Sequence, residues 1–325
     1  MRLLIIPIMA LILASLACSS VAEPIVFTSN IDGNREIFSL DPEKAELVNL
    51  TNSSGSEYAP SISPDGSHLA FLAGDDKHNV LEVISLNEEA TDRTAVSRID
   101  GGHRDHRWSP SGDRLAYLVQ NGGDPSTHVA DYDGSGSMEL TTIVAHEVGG
   151  WSYDGSSVVF TVRGGPGQGI YVRNPDGVNE VRLTDQADYN PCWSPNSHKI
   201  AFISERDGNP EIYVMNSDAT ELKRITETAG TEYNIAWSPD GRKIAFASDN
   251  DGSPEIYVVD IRDGEVHRLT RNSVRDDQPV WSRDGKRIAF VSYLDGDGEI
   301  VMMDADGKNQ QRLTNNGYDD YSPSW

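Results

Sequence analysis

The 325-residue chain carries 51 acidic against 27 basic side chains, a formal net charge of −24. Such acidity argues against a nucleic-acid ligand and against anionic lipid surfaces; it suits solubility, cations or basic partner patches, and a salt-rich habitat would account for it equally well. With Cys18 and Cys192 the only cysteines, a disulfide framework is excluded.

The chain opens on Met1-Arg2 and an apolar run from Leu3 to Ala17, too short to span a membrane comfortably but suited to a secretion signal. Two processing sites compete. Ser20-Val21-Ala22 before Glu23 has small residues where signal peptidase reads, and Ser15-Leu16-Ala17 before Cys18 resembles a bacterial lipoprotein site. The expected organisation is a signal over residues 1–22, or a lipoprotein signal ending at Cys18, then one domain over 23–325. Export is common to both outcomes.

From Glu23 onward the chain repeats itself. An apolar residue before Ser-Pro or its equivalent recurs at Ile62, Trp108, Trp151, Trp193, Trp237, Trp281 and Trp325, with gaps of 46, 43, 42, 44, 44 and 44 residues. An Ile-Ala-Phe-like run recurs seven times as well, from Ile25-Val26-Phe27 to Ile288-Ala289-Phe290. A period near 44 with turn residues at fixed offsets points to radial β-blades.

Each unit reads as four short strands: the Trp strand, the Ile-Ala-Phe strand, a Glu-Ile-Tyr strand and an Arg-Leu-Thr strand. Ser-Pro-Asp-Gly joins the first pair, with Pro presetting one turn dihedral and Gly accepting positive φ. Outside the N-terminus no segment has a sustained apolar period of 3.6, so helix is expected to be nearly absent. Units three and four, Arg107 to Thr184, are degenerate: Glu-Ile-Tyr becomes His128-Val129-Ala130 and Gly169-Ile170-Tyr171.

A four-stranded sheet has two faces and two edges to cover, and face-to-face packing in a ring covers the faces. The first unit starts at its second strand, and the chain stops at Tyr321-Ser322-Pro323-Ser324-Trp325, a first strand with nothing after it. The expectation is therefore an all-β, seven-bladed propeller of four-stranded blades, closed by pairing of the C-terminal strand with the N-terminal blade.

The run W-S-P-D-G, I-A-F, E-I-Y, R-L-T is intact around Trp193, Trp237 and Trp281, apart from Asn196 and Arg283. It resembles the TolB-type (WD-like) β-propeller repeat over nearly all of Glu23 to Trp325. The namesake propeller has six blades and a separate N-terminal domain; seven units are counted here. The resemblance implies a role in the cell envelope in which the propeller docks a peptidoglycan-associated lipoprotein.

Candidate chemistry lies where the outer strand of one blade crosses to the inner strand of the next. The residue five before each anchor should ring the channel mouth: Glu57, His103, His146, Asp188, Glu232, Asp276 and Asp320. Asp32, Asp75, Asp207, Asp251 and Asp295 open on the same face. Such carboxylates either accept hydrogen bonds from their own loops or converge as an acidic hub that draws a divalent cation or a basic partner. Tyr58, Tyr189, Tyr233 and Tyr321 follow the ring and form an aromatic collar or pack against neighbouring loops.

Half of the eight histidines fall in units three and four. His103, His106 and His146, with His128 as a further candidate, would bind a transition metal if they converge; some propeller lyases of acidic sugars hold a metal in a similar way. The plain alternative is a surface patch in which Arg104 or Arg107 pairs with Asp105. Cys192, beside Trp193, reads as a small core residue. Gly134-Ser135-Gly136-Ser137-Met138 does not match a nucleophile elbow, and no phosphate-binding glycine loop opens a helix.

The leading reading is an exported, monomeric, non-enzymatic scaffold that binds an envelope protein or peptide through its channel-mouth face, with no cofactor required and membrane contact only through a lipid anchor. The alternative is a metal-dependent carbohydrate-active enzyme using the histidines of blades three and four.

Overall fold

The computed structural model describes residues 23–75, 78–87, 93–97, 99, 101–141 and 144–325. The expected signal segment, including Cys18, lies outside them. All elements among the described residues are strands, and they form seven four-stranded antiparallel sheets.

The intact repeat shows why its motifs fold as they do. In blade 6 the strands are Glu232–Trp237, Lys243–Ser248, Glu255–Asp260 and Val266–Arg268, joined in that order. At the first turn, Ser238 Oγ donates to Asp240 Oδ1 at 2.7 Å and accepts the Lys243 N–H at 2.9 Å, while Gly241 takes φ +67. Ser282, Asp284, Gly285 and Arg287 repeat this turn in blade 7.

The Glu, Arg and Thr of the later motifs form one unit. Arg268 Nη2 donates to Glu255 Oε1 at 2.8 Å, and Thr270 Oγ1 accepts the Ile256 N–H at 2.9 Å. Arg224 with Glu211 and Arg312 with Glu299 do the same at 2.7 Å. The aromatic residues of the second and third strands stack, as in Phe246 on Tyr257 with centroids 5.6 Å apart. In blade 3 the stack is Tyr117 on His128 at 5.7 Å, so His128 occupies the tyrosine's place, and Ser126-Thr127-His128, not the expected His128-Val129-Ala130, is the counterpart of Glu-Ile-Tyr.

Seven apolar clusters lie between neighbouring blades. The tryptophans also join blades through hydrogen bonds. The Trp108, Trp151, Trp237 and Trp281 indoles donate to the Ser61, Arg107, Cys192 and Ala236 carbonyls of the preceding inner strand, at 2.9 to 3.3 Å.

The ring closes at blade 1. Asp320–Ser324 pairs antiparallel with Ile25–Ser29, matching Ser29 with Asp320, Thr28 with Tyr321 and Val26 with Ser324. Trp325 Nε1 donates to the Glu23 carbonyl at 2.9 Å. Each inner strand touches the inner strands on both sides around the full circle. The result is a seven-bladed β-propeller with its inner strands about a central channel.

Candidate functional site at the central channel

The spacing places the ring residues at blade junctions, as expected, but they are not an open acidic mouth. Glu57, Asp188, Glu232, Asp276 and Asp320 are each at most 2% exposed. Ser53 Oγ donates to Glu57 and Thr228 Oγ1 to Glu232, both at 2.6 Å. Asn272 Nδ2 donates to Asp276 and Asn316 Nδ2 to Asp320, both at 2.7 Å. Arg206 Nη2 reaches both oxygens of Asp188, at 3.0 and 2.8 Å. The expected acidic hub is corrected on this point: Glu57, Glu232, Asp276 and Asp320 fasten the crossover loops between blades, Asp188 is held by a loop of its own blade, and all five face protein, not solvent. The loop aspartates are also engaged, with Tyr257 Oη donating to Asp251 Oδ2 at 2.6 Å and Asn49 Nδ2 to Asp32 Oδ2 at 2.9 Å.

The histidines do not gather. His103 is buried, with Nδ1 2.7 Å from the Asn79 carbonyl and Nε2 2.7 Å from Ser97 Oγ. His106 is buried on the same strand, and burial pushes it down to about 3, so its ring is neutral. His146 is half-buried, its Nδ1 accepting the Arg163 N–H at 3.0 Å. His128 is held by its aromatic stack and by Ser126 Oγ at 2.9 Å. Among the described residues no three His, Cys, Asp or Glu side chains come together as metal ligands. The expected cluster of His103, His106 and His146 is corrected accordingly.

The four tyrosines are half-buried and wedge their rings into the seams between blades. Arg35 caps the Tyr58 ring at 4.4 Å and Arg163 caps Tyr189 at 4.9 Å. Tyr58 Oη accepts a hydrogen bond from Asn79 Nδ2 at 2.7 Å. Burial pushes the Tyr189 and Tyr233 hydroxyls up to about 12, so both are neutral donors. Tyr321 packs with Phe27 and Ile300 at the closure.

The channel surface is set by residues the spacing argument passed over. Three positions before the anchor, Ala59, Asp105, Asn190, Asn234, Gln278 and Ser322 all have φ between 47 and 54. The inner strand bulges there in each case. Several bulges are tied to neighbouring blades: Glu147 Oε2 accepts the Asn190 N–H at 2.7 Å, Asn234 Nδ2 donates to Asp277 Oδ1 at 2.6 Å, and Gln278 Oε1 accepts the Ser322 N–H at 2.7 Å. Asn and Asp at three of the six positions were a legible sign, because they tolerate the left-handed region better than most residues.

Blade 4 departs from this pattern. Its left-handed residue is Gly150, one before the anchor, with φ +116. A Cβ on its neighbour Gly149 would sit 2.0 Å from the Pro191 carbonyl oxygen. The Gly149-Gly150 pair brings two inner strands unusually close. In this seam Trp193 Nε1 is left buried without a partner, unlike the Trp108, Trp151, Trp237 and Trp281 indoles.

Between the inner strands of blades 3 to 6 lies a cavity of about 220 Å³, lined by Asp105, Arg107, Glu147, Asn190, Cys192 and Asn234 among others. Both charge signs and two amides face this space, while burial pushes the Cys192 thiol up to about 12 and keeps it unreactive.

The TolB beta propeller domain matches residues 59–191 and 184–325. The chain belongs to the TolB β-propeller family. Protein TolB homolog of Chlorobium luteolum is 28% identical over 194 residues, 59% of this chain and 34% of that protein. Its counterpart in Chlorobium chlorochromatii is 31% identical over 184 residues, 56% of this chain and 31% of that protein. The matched stretch thus spans about a third of the length of those TolB relatives. TolB from Acinetobacter baumannii superposes with a TM-score of 0.65 at 18% identity, covering 94% of this chain and 67% of that one. An oligogalacturonate lyase in complex with manganese superposes with a TM-score of 0.71, also at 18% identity, covering 86% and 85%. At that identity the likeness is one of fold.

Proposed function

We propose that the protein is an exported, non-enzymatic binding propeller of the cell envelope, and that it holds a protein or peptide segment at the channel between blades 3 and 6. One observation carries the reading: four neighbouring inner strands line one cavity of about 220 Å³ with Asp105, Arg107, Glu147, Asn190 and Asn234. A segment with exposed amides and a basic side chain meets complementary groups there, and the net charge of −24 favours a basic partner, less so as salt rises. Membership of the TolB propeller family supports an envelope protein-binding role, and a peptidoglycan-associated lipoprotein is the first partner to test. Export rests on the leader over residues 1–22, with Cys18 as the residue that would carry a lipid anchor. The protein acts as a monomer and needs no cofactor in this reading. The lyase alternative required converging histidines, and the separate partners of His103, His106 and His146 give it no support.

The test is calorimetric titration of the chain from Glu23 with a soluble peptidoglycan-associated lipoprotein, alongside capture from an envelope extract. Asp105→Asn and Glu147→Gln, each removing one negative charge from the lining while keeping an acceptor in its place, should each weaken binding at least about tenfold, near 1.4 kcal/mol, with unfolding curves little changed. Wild-type affinity in both variants would remove the channel from the proposal.

A further inference from the structure

Four of the seven blade junctions bury two carboxylates side by side. The first is the Glu that opens the third strand of one blade: Glu36, Glu211, Glu255 or Glu299. The second is the ring residue of the next: Glu57, Glu232, Asp276 or Asp320. Backbone geometry sets them together. The N–H of Glu57, Glu232, Asp276 and Asp320 donates to the carbonyl just before the paired Glu, on Arg35, Pro210, Pro254 and Gly298, at 2.8, 3.4, 2.8 and 2.7 Å. A single residue then bridges each pair. Ser53, Thr228, Asn272 and Asn316 donate their N–H to the first carboxylate, at 2.9 to 3.1 Å, and their side chain to the second. All eight carboxylates are at most 2% exposed.

Positive charge is short at these junctions. Arg93, Arg224, Arg268 and Arg312 each reach one member of a pair, and each also faces a third carboxylate: Glu82, Asp207, Asp251 or Asp295. The other groups against the pairs are neutral: Asn34 and Thr51 on Glu36, Asn209 and Thr226 on Glu211, Ser248 on Glu232, Thr270 and Ser292 on Asp276, and Ser29 and Thr314 on Asp320. Every pair also has a buried oxygen with no donor: Glu57 Oε2, Glu232 Oε2, Glu255 Oε2 and Glu299 Oε2. The junction before blade 5 is a natural contrast, because Asp188 has Arg206 on both oxygens and no Glu partner.

We propose that each of the four junctions holds one proton between its two carboxyls, so that the blades are latched in acid and loosen as the pH rises. A protonated carboxyl is a donor, which is what the unpartnered oxygens lack. Two ionised carboxylates sharing one arginine in a buried seam would repel. Burial, then the facing Glu211, pushes Glu232 up to about 8, and burial with Glu299 pushes Asp320 up to about 6. Burial also raises Glu36 and Asp276. Burial acts upward on Glu211 too, but hydrogen bonds from Thr226, Arg224 and Thr228 outweigh it and hold that carboxyl low, so the proton of this pair rests on Glu232. A carboxyl raised in the folded state contributes its full stability below the ordinary value of 4.5 and loses it as the pH passes through the raised value. The loss begins near the ordinary carboxyl values and is complete by about 6 for Asp320 and about 8 for Glu232, so between pH 6 and 9 it is Glu232 that carries it.

The test is thermal unfolding of the chain from Glu23 between pH 5 and 9 in chelated buffer, with infrared absorption of protonated carboxyl followed in parallel. The wild type should lose at least about 2 °C in melting temperature between pH 6 and 9. Glu232→Gln, whose amide supplies a permanent donor to Glu211, should flatten that loss and remove part of the carboxyl band at pH 7. Asp188→Asn should leave the pH slope as in the wild type. A wild-type profile flat or rising over this range, no protonated-carboxyl band at pH 7, or a slope in Glu232→Gln equal to that of the wild type would overturn the proposal. So would calcium that stabilises the wild type at pH 9 but not Glu232→Gln, since a cation would then fill the seam.

Discussion

Trp281 and Trp193 occupy the same place in their repeats and do different work. The Trp281 indole donates to the Ala236 carbonyl at 3.1 Å, whereas Trp193 Nε1, next to the irregular inner strand of blade 4, has no partner. Phe in place of Trp keeps most of the apolar packing and deletes the donor. Trp281→Phe should therefore cost about 1 kcal/mol beyond the effect of Trp193→Phe, as read from paired urea-unfolding curves. Residue identity made both tryptophans legible as anchors. It could not show which indole would be satisfied, since the acceptor lies 45 residues away on another blade.

At the scale of the element, the inner strand is the informative one. Its bulge puts a left-handed residue into the channel wall, and Ala59, with φ 54, is the one least suited to that backbone. Ala59→Gly should stabilise the protein by up to about 1 kcal/mol, the strain relieved being partly offset by glycine's chain entropy; a loss of stability would show that the bulge is not strained. Gly149 represents the opposite case. A Cβ there meets the Pro191 carbonyl at 2.0 Å and Val159 Cγ1 at 2.8 Å, both in a packed seam. Gly149→Ala should cost more than about 3 kcal/mol, and chemical denaturation of the purified variant measures it. The turn motif was easy to read, because Ser, Asp and Gly act on their own backbone within five residues. The bulge gave a weaker signal, as Ala, Gln and Ser carry no left-handed preference to announce it.

For the whole molecule the decisive contact is between the ends of the described chain. Asp320–Ser324 supplies the inner strand of blade 1 and Trp325 reaches back to Glu23. Deleting 320–325 exposes the edge of Ile25–Ser29 and empties the cluster around Phe27, Ile300 and Tyr321. The truncated chain should lose several kcal/mol and unfold less cooperatively, visible as a lower midpoint and a shallower urea transition.

Blade number, strand order and the site of closure follow from the residues themselves, because each blade repeats the same local turn chemistry and the same alternation of buried side chains every 42 to 46 positions. What the ring carboxylates do was decided by assembly. Whether Glu232 meets water or Glu211 depends on how two neighbouring blades close on each other, and local preference carries no trace of that approach. The same holds for the histidines, which share a stretch of sequence but are drawn into separate hydrogen bonds by the pleat of one strand and the packing of the next. Burial between blades is a property of the ring, and it turns an acidic pattern into seams and leaves the channel wall to the bulged residues, three positions before six of the seven anchors.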